Sequence, residues 1–278
     1  MTGATLALGS AACFGVADYA GGLLARRASA ASVAVVVQVS GALLVFVVAP
    51  LVPTANPGMA DVLWGTASGV GTAIGLFFLY RGLIHGSMSV VVPLSTVGAV
   101  VLPVTLGVLL LHERPSILTW TGVVVAVPAI ALVSGAGGPR VAGVASVADA
   151  LISSVGFALQ YIALAQAGAG AGLWPVAGGR VASVVTMLAL AAVVQSRTRL
   201  PSGLLWAAAA NGVMAAAGLT LYMLAARQDI LAVAVVLSSL YPVIPVVLGI
   251  AVLRERLSRW QVGGLVAAAA TVVLVTVG

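Results

Sequence analysis

Long apolar stretches, separated by short polar connectors rich in glycine and proline, occupy nearly the whole chain. Each stretch has roughly 20 residues, which is about the length that a helix needs to cross the hydrocarbon core of a bilayer. The stretches lie near residues 4–25, 31–52, 62–83, 88–111, 117–134, 143–166, 172–195, 203–226, 230–253 and 260–278. This pattern predicts an all-α integral membrane protein with ten transmembrane helices.

The second half of the chain repeats the first at a constant offset of 142 residues. The stretch Leu-His-Glu-Arg-Pro-Ser at 111–116 recurs as Leu-Arg-Glu-Arg-Leu-Ser at 253–258. Other pairs at this offset are Tyr19 with Tyr161, Trp64 with Trp206, Tyr80 with Tyr222, Pro103 with Pro245 and Gly122 with Gly264. We therefore predict a tandem duplication, with one five-helix repeat over residues 1–138 and a second over 139–278.

The odd number of helices in each repeat determines how the second repeat enters the membrane. A chain that crosses five times leaves on the face opposite to its entry, so the second repeat must be inserted upside down relative to the first. Inverted repeats that rock about a site near the midplane are typical of secondary transporters. A duplicated bundle that transports nothing is the alternative.

Composition agrees with this placement and excludes several functional classes. Hydrophobic residues make up 62% and charged residues 6% of the chain, and the mean hydropathy is +1.22, which leaves too little polar surface for a soluble protein. Twelve arginines and no lysine supply the basic charge, and they cluster at span ends instead of forming a nucleic-acid-binding face. Nine follow odd-numbered spans and two follow even-numbered ones, which favours termini outside the cytoplasm.

The sequence offers no support for cofactor or metal chemistry. Cys13 is the only cysteine, which excludes a disulfide within the chain and a cysteine metal cluster, and His85 and His112 are not spaced for zinc. No Walker-type phosphate loop is present, so energy would come from a gradient or a partner chain. We expect no cofactor, no metal and no enzyme activity. A membrane-embedded lipid transferase would need carboxylates or histidines clustered at one interface, and the sequence shows no such cluster.

Three charged residues fall inside the predicted spans, where each costs roughly 2.5–3.5 kcal/mol even on the mildest scale. They are Asp18 in the first span, Asp149 near the start of the sixth and Arg180 in the seventh. At the repeat offset Asp18 aligns with Gln160, and Arg180 aligns with Gln38. We expect Arg180 to dock a solute carboxylate and Asp18 to bind an amine or a coupling proton. A buried Asp18–Arg180 pair that fixes helix register, with Asp149 at the membrane interface, is the alternative.

Prolines mark the fourth and ninth spans. Because proline removes a helical hydrogen bond, we predict helix breaks at Pro93 and Pro103 in one span and at Pro242 and Pro245 in the other. Irregular backbone at membrane depth is tolerated where it lines a wet cavity, so these spans are candidate walls of the solute pathway. A packing kink is the alternative.

The duplicated pattern resembles the ten-helix, EamA-type members of the drug/metabolite transporter superfamily. The resemblance covers essentially the whole chain. The residues on which it rests are the repeated Leu-x-Glu-Arg segments at 111–114 and 253–256, Pro103 and Pro245, Tyr80 and Tyr222, and Arg180. It implies export or exchange of small metabolites such as amino acids, driven by a gradient. It also implies cytoplasmic termini, whereas the arginine distribution favours the opposite orientation.

The chain departs from the family pattern at two places. Cys13-Phe14-Gly15 stands where family members commonly have a tryptophan-glycine pair, which puts an aromatic contact in doubt. The arginine typical of the second span is Gln38 in the first repeat and appears only as Arg180 in the second.

The sequence thus predicts an alternating-access exporter of small metabolites in the cytoplasmic membrane. Its partners would be the solute, the lipid bilayer and coupling protons, and it would act as a monomer or homodimer. The candidate solute-binding residues are Asp18, Tyr19, Gln38, Ser95, Gln160, Tyr161, Arg180, Tyr222, Ser238 and Tyr241. Glu113 and Glu255 are expected to tie helix ends to neighbouring backbone or arginine. Proton-coupled efflux of hydrophobic cationic drugs through Asp18 is the alternative function, although the positive charge of Arg180 would repel a cation.

Overall fold

The computed structural model describes residues 3–54, 57–111, 115–134, 143–195, 200–226 and 240–277. Within these ranges the chain forms helices and turns, without a strand. The helices are α1 Gly3–Ala25, α2 Ala30–Val48, α3 Met59–His85, α4 Met88–Leu111, α5 Ile117–Val133, α6 Val144–Ala165, α7 Trp174–Val193, α8 Ser202–Ala226, α9 Val243–Ala251 and α10 Arg259–Val277. Nine of them follow predicted stretches, because each apolar run is bounded by residues that favour turns. α9 covers only the later part of the ninth stretch, of which residues 230–239 lie outside the described residues.

The helices have the length and the surface of membrane spans. Eight helices of the described chain are long and apolar enough to cross a bilayer, while α5 has 17 residues and α9 has nine. Large apolar side chains point outward, among them Val127 at 71% exposure and Trp206 at 80%. Such a surface is stable against lipid and unfavourable in water. The chain is a multi-pass membrane protein.

The packing of the helices repeats when the two halves are exchanged. α1 packs on α8 as α6 packs on α3, and α4 packs on α6 as α9 packs on α1. Between α5 and α10, Gly122 lies against Leu274 while Gly264 lies against Leu132, and these are the same two contacts at the repeat offset. The structure is therefore two inverted five-helix repeats that interlock around a pseudo-twofold axis.

Glycines bring the backbone of α3 close to the second repeat. A Cβ atom added to Gly69 would meet the backbone of Gly179 in α7, and one added to Gly156 in α6 would meet the backbone of Gly75. Small residues at a helix interface allow such close approach in membranes. The third helix is thus held between α6 and α7, at the boundary between the repeats.

The prolines do not produce the helix breaks that the sequence predicts in the fourth span, and those of the ninth span lie at the start of a helix. α4 continues through Pro93 and Pro103, so the expected breaks are not present there. Helix packing and neighbouring Ser or Thr side chains let membrane helices keep their course through proline. Pro242 is the residue before α9 and Pro245 lies in its first turn, where a helix does not need the missing N–H groups. The first half of α4, residues 88–99, is completely buried, which agrees with a central position for this helix.

Polar contacts tie the repeats together at one end of the bundle. Arg81 at the end of α3 makes a bidentate ion pair with Asp149 in the first turns of α6, with Nε 2.9 Å from Oδ1 and 3.1 Å from Oδ2. Glu255, in the corner after α9, accepts hydrogen bonds from the backbone N–H groups of Met88 and Ser89 at the start of α4. The predicted helix-end role of Glu255 is confirmed, and Glu113 lies outside the described residues.

Candidate functional site

Arg180 is fixed between α2 and α7 by neutral partners. Its side chain is 9% exposed, and its guanidinium donates a hydrogen bond to Oε1 of Gln38. The amide of Gln38 in turn donates from Nε2 to the hydroxyl of Ser183, at 2.6 Å. Because Ser183 lies one turn after Arg180 on the same helix, the three side chains lock the guanidinium in one orientation.

A small polar cavity adjoins Arg180. Its volume is about 30 Å³, space for on the order of two water molecules. The polar lining comes from three helices: Ser68 and Thr72 of α3, Gln160 of α6 and Arg180 of α7. The Oε1 atom of Gln160 is buried and has no hydrogen-bond partner among the described residues. The cavity therefore combines one positive charge with an amide and hydroxyl groups at the interface of the two repeats.

Asp18 belongs to a second polar region, which is rich in tyrosine. Its carboxylate lies in the neighbourhood of the hydroxyls of Tyr80, Tyr161 and Tyr241. The hydroxyl of Tyr80 accepts a hydrogen bond from Nδ2 of Asn211, at 3.2 Å. Within the described ranges Asp18 forms neither an ion pair nor a hydrogen bond, so no Asp18–Arg180 pair joins these regions. The structure does not support that alternative.

Besides Gln38 and Arg180, two more of the predicted solute-binding residues form hydrogen bonds within the bundle. The hydroxyl of Ser95 lies 2.8 Å from that of Ser153, which itself donates to the carbonyl of Gly75, so Ser95 is the donor of the pair. The hydroxyl of Tyr241 lies 2.9 Å from the hydroxyl of Thr96. These contacts connect α4 to α6 and to the residues just before α9, which gives both side chains a packing role.

The remaining predicted side chains differ in how open they are. Tyr161 is 45% exposed, and Tyr222 is partly buried. The hydroxyl oxygen of Tyr19 is buried, and no described residue forms a hydrogen bond with it. Ser238 lies outside the described residues. Tyr222 and Tyr241 both lie in the neighbourhood of Tyr161, so the three belong to the tyrosine region around Asp18.

Comparison with known families decides the class of protein. The model of the EamA-like transporter family matches residues 1–135 and 145–277. The chain belongs to the EamA-like transporter family. This membership confirms the resemblance to drug/metabolite transporters, and it places the chain among membrane transporters of small molecules, a family that is not enzymatic.

A solved structure shares the fold of this EamA-like transporter. A crystal structure of a protein matches with a TM-score of 0.59 and 15% sequence identity, and the match covers 98% of this chain and 95% of that chain. At that identity the likeness shows the fold alone. No curated protein matches the sequence.

The transporter also contains a larger apolar cavity, of about 250 Å³, between α4, α9 and α10. Pro93 and Thr96 line it on one side, Pro242 and Val246 on another, and Val272 on the third. Its walls are almost entirely apolar. Two of the four prolines expected to mark the solute pathway, Pro93 and Pro242, therefore border a cavity, which has no charged group among the described residues.

Sequence reasoning missed several polar residues of this EamA-like transporter. Ser68 and Thr72 line the Arg180 cavity, Ser183 orients Gln38, and Asn211 holds Tyr80. Ser68 and Thr72 are four residues apart, which places them on one face of α3, and this spacing was the available signal. Single hydroxyl residues in an apolar helix are common, so nothing else distinguished them.

Proposed function

We propose that this EamA-like transporter exports a small zwitterionic metabolite, such as an amino acid, across the cytoplasmic membrane by alternating access. The observation that carries the proposal is the buried guanidinium of Arg180, which has a neutral partner and lines a polar cavity between the repeats. A fixed, desolvated guanidinium is well suited to bind a carboxylate through two hydrogen bonds.

The opposite charges of Arg180 and Asp18 support a zwitterionic solute. The pseudo-twofold axis relates Arg180 to Gln38 and Asp18 to Gln160, so each repeat contributes one charged and one amide side chain. The charges are positive in the second repeat and negative in the first. A solute with a carboxylate and an amine would therefore bind in one orientation, with its carboxylate at Arg180 and its amine at Asp18.

The size of the Arg180 cavity supports a mechanism in which the halves move. A volume of about 30 Å³ holds the carboxylate end of a metabolite and excludes the rest. Binding of the whole solute would open the interface between residues 1–138 and 139–278, and the same rocking would expose the site to either face of the membrane. Asp18 would carry the coupling proton when no amine is bound.

Transport into proteoliposomes tests the proposal. Labelled amino acids and a quaternary ammonium dye would be offered with and without a proton gradient. We expect amino-acid movement that falls roughly 30-fold or more in Arg180→Ala, since truncating one member of a buried charge pair costs 2 kcal/mol or more. Arg27→Ala, which removes an exposed arginine, is the matched control and should transport at the wild-type rate. Wild-type transport by Arg180→Ala would overturn the docking role.

The apolar cavity favours a second candidate, proton-coupled efflux of hydrophobic cations. Its walls of Pro93, Val246 and Val272 suit an apolar solute, and Asp18 could bind a cation and a proton in turn. This candidate predicts dye movement that Asp18→Asn abolishes and that Arg180→Ala leaves intact. The first candidate predicts the reverse for Arg180→Ala, so the same experiment separates them.

A further inference from the structure

The charge of Arg180 is not balanced by the acidic residues that the structure describes. The chain has six acidic residues, of which four lie in the described ranges. Asp149 pairs with Arg81, Glu255 caps α4, and Asp61 accepts from backbone N–H groups at the opposite end of the bundle from that cap. The fourth, Asp18, lies among the tyrosines.

A buried cation without a counter-charge is costly. Taking a guanidinium out of water costs several kcal/mol, and a neutral amide such as Gln38 returns only part of that cost. Proteins compensate buried charges with an opposite charge at hydrogen-bond distance. The place where such a charge can lie is the cavity beside Arg180, because the guanidinium otherwise faces Gln38 and Gly41 of α2 in the part of the chain that the structure describes.

The cavity has the size and the chemistry of a halide site. A volume of about 30 Å³ accepts a chloride ion, which is larger than one water molecule, and excludes bulky organic anions. The guanidinium supplies the positive charge, and the hydroxyl of Ser68 supplies a further donor. The hydroxyl of Thr72 donates to the carbonyl of Ser68, at 2.9 Å, so it shapes the cavity without donating into it.

We propose that the Arg180 cavity binds a small inorganic anion of the chloride class, which neutralises the guanidinium when no solute carboxylate is present. The ion and the carboxylate would then compete for the same donors. Chloride binding itself does not require the proposed function, since it needs only the charge and the cavity. The competition between chloride and solute rests on that function.

Thermal unfolding of the purified full-length chain tests chloride binding. Chloride would be titrated against isethionate at constant ionic strength, because isethionate is too large for the cavity and carries no carboxylate. At chloride concentrations about 100 times the Kd, we expect the wild-type unfolding temperature to rise by roughly 5 °C, in a saturable curve. Equilibrium binding of radioactive chloride should give one ion per chain.

Two variants, Ser68→Ala and Arg180→Gln, test whether chloride binds in the Arg180 cavity, and Thr66→Val is the control. Ser68→Ala removes a donor from the cavity and should weaken chloride binding about tenfold, whereas Thr66→Val on the same helix removes an exposed hydroxyl and should leave binding unchanged. Arg180→Gln should remove the saturable shift altogether. If Arg180→Gln fails to fold, chloride binding by Ser68→Ala and the number of chloride ions bound per chain still test the site.

The outcomes are distinct for this proposal and for the transport function. Identical unfolding curves in chloride and isethionate, or equal binding by Ser68→Ala and wild type, would overturn the halide site. Chloride binding in a protein that moves no zwitterion would leave the site standing and overturn the proposed function. If both hold, chloride should raise the KM for the solute and leave kcat unchanged.

Discussion

Arg180 donates a hydrogen bond to Gln38, and these two residues occupy equivalent positions in the two repeats, 142 residues apart. Residues related by a twofold axis can touch each other only beside that axis. The bond therefore places Arg180 next to the pseudo-twofold axis of the bundle. In transporters built from inverted repeats this axis lies in the membrane plane, and the solute site is near the midplane. Arg180 thus lies where both halves contribute to one site.

Placing a carboxylate at position 38 should occupy the charge of Arg180 permanently. In Gln38→Glu we expect the protein to insert and fold, because the new side chain keeps the shape of the amide and gains an ion pair. Carboxylate transport should fall about tenfold or more, and the chloride-dependent shift in unfolding temperature should disappear. Both would be measured in proteoliposomes and by thermal unfolding.

The control for this prediction removes the amide without adding a charge. Gln38→Met keeps the side-chain length and leaves Arg180 without its partner, so chloride should still stabilise the protein. Unimpaired transport by Gln38→Glu would show that transport does not require an unpaired guanidinium at Arg180.

The repeat offset made most of the fold predictable from the sequence. Ten apolar stretches defined the helices, and five helices per repeat required inversion. The pairing of helices was not predictable, because α1 to α10 are apolar nearly all round and their sequences do not show which side faces a neighbour. The close contact of α3 with α7 depends on Gly69 meeting Gly179, which only the structure brings together.

Two adjacent glycines of α7 should respond differently to alanine. A Cβ at Gly179 would lie 2.7 Å from the carbonyl oxygen of Gly65, whereas a Cβ at Gly178 would have no atom within 4 Å. Gly179→Ala should therefore separate α7 from α3 and destabilise the protein by about 1–3 kcal/mol. Gly178→Ala should be neutral or stabilising by up to about 1 kcal/mol, from helix propensity.

Unfolding in mixed detergent micelles would measure both changes. The two variants add the same methyl group to the same helix, so a general effect of alanine cancels in the comparison. Equal stability of the two variants would mean that α3 and α7 are not in backbone contact.

The site was predictable in part, for a physical reason. Charged residues are expensive inside a membrane, so Asp18 and Arg180 could be identified from the sequence. Their pairing with each other, the alternative to separate solute-binding roles, is not found among the described residues, where the hydrogen-bond partner of Arg180 is Gln38. Hydroxyl residues such as Ser68 carry no comparable cost, and their contribution appears only when the cavity is known.

The Arg81–Asp149 pair should be asymmetric in its energetics. The side chain of Asp149 is 4% exposed and that of Arg81 is 41% exposed. Arg81→Ala leaves a buried carboxylate without a partner and should cost about 2–4 kcal/mol, whereas Asp149→Ala lets the arginine turn to water and should cost about 1–2 kcal/mol. Arg81 also lies over the ring of Phe78, at 4.4 Å, which adds to the cost of its removal.

A double-mutant cycle of these two residues would measure the asymmetry as the difference in unfolding free energy between the two single alanine variants. Arg81→Lys is the control, since it keeps the charge and loses the bidentate geometry, and it should fall between the wild type and Arg81→Ala. Equal costs for the two alanine variants would contradict the burial seen for Asp149.

Glu255 should stabilise the start of α4 across the boundary between the repeats. Its Oε1 accepts from the N–H of Met88 at 2.8 Å, and its Oε2 accepts from both the N–H and the hydroxyl of Ser89. Glu255→Gln loses the negative charge at a helix N-terminus and turns an amide donor toward the N–H of Ser89, so we expect a loss of about 1–2 kcal/mol.

Chemical unfolding of Glu255→Gln, Ser89→Ala and the double variant would separate the parts of this cap. Ser89→Ala removes one hydrogen bond and should cost about 0.5–1.5 kcal/mol in the wild-type background. It should cost less in the Glu255→Gln background, because the hydroxyl has then already lost its charged acceptor. Additive costs would show that Glu255 and the Ser89 hydroxyl act independently, and the corner after α9 would then not hold α4 through this contact.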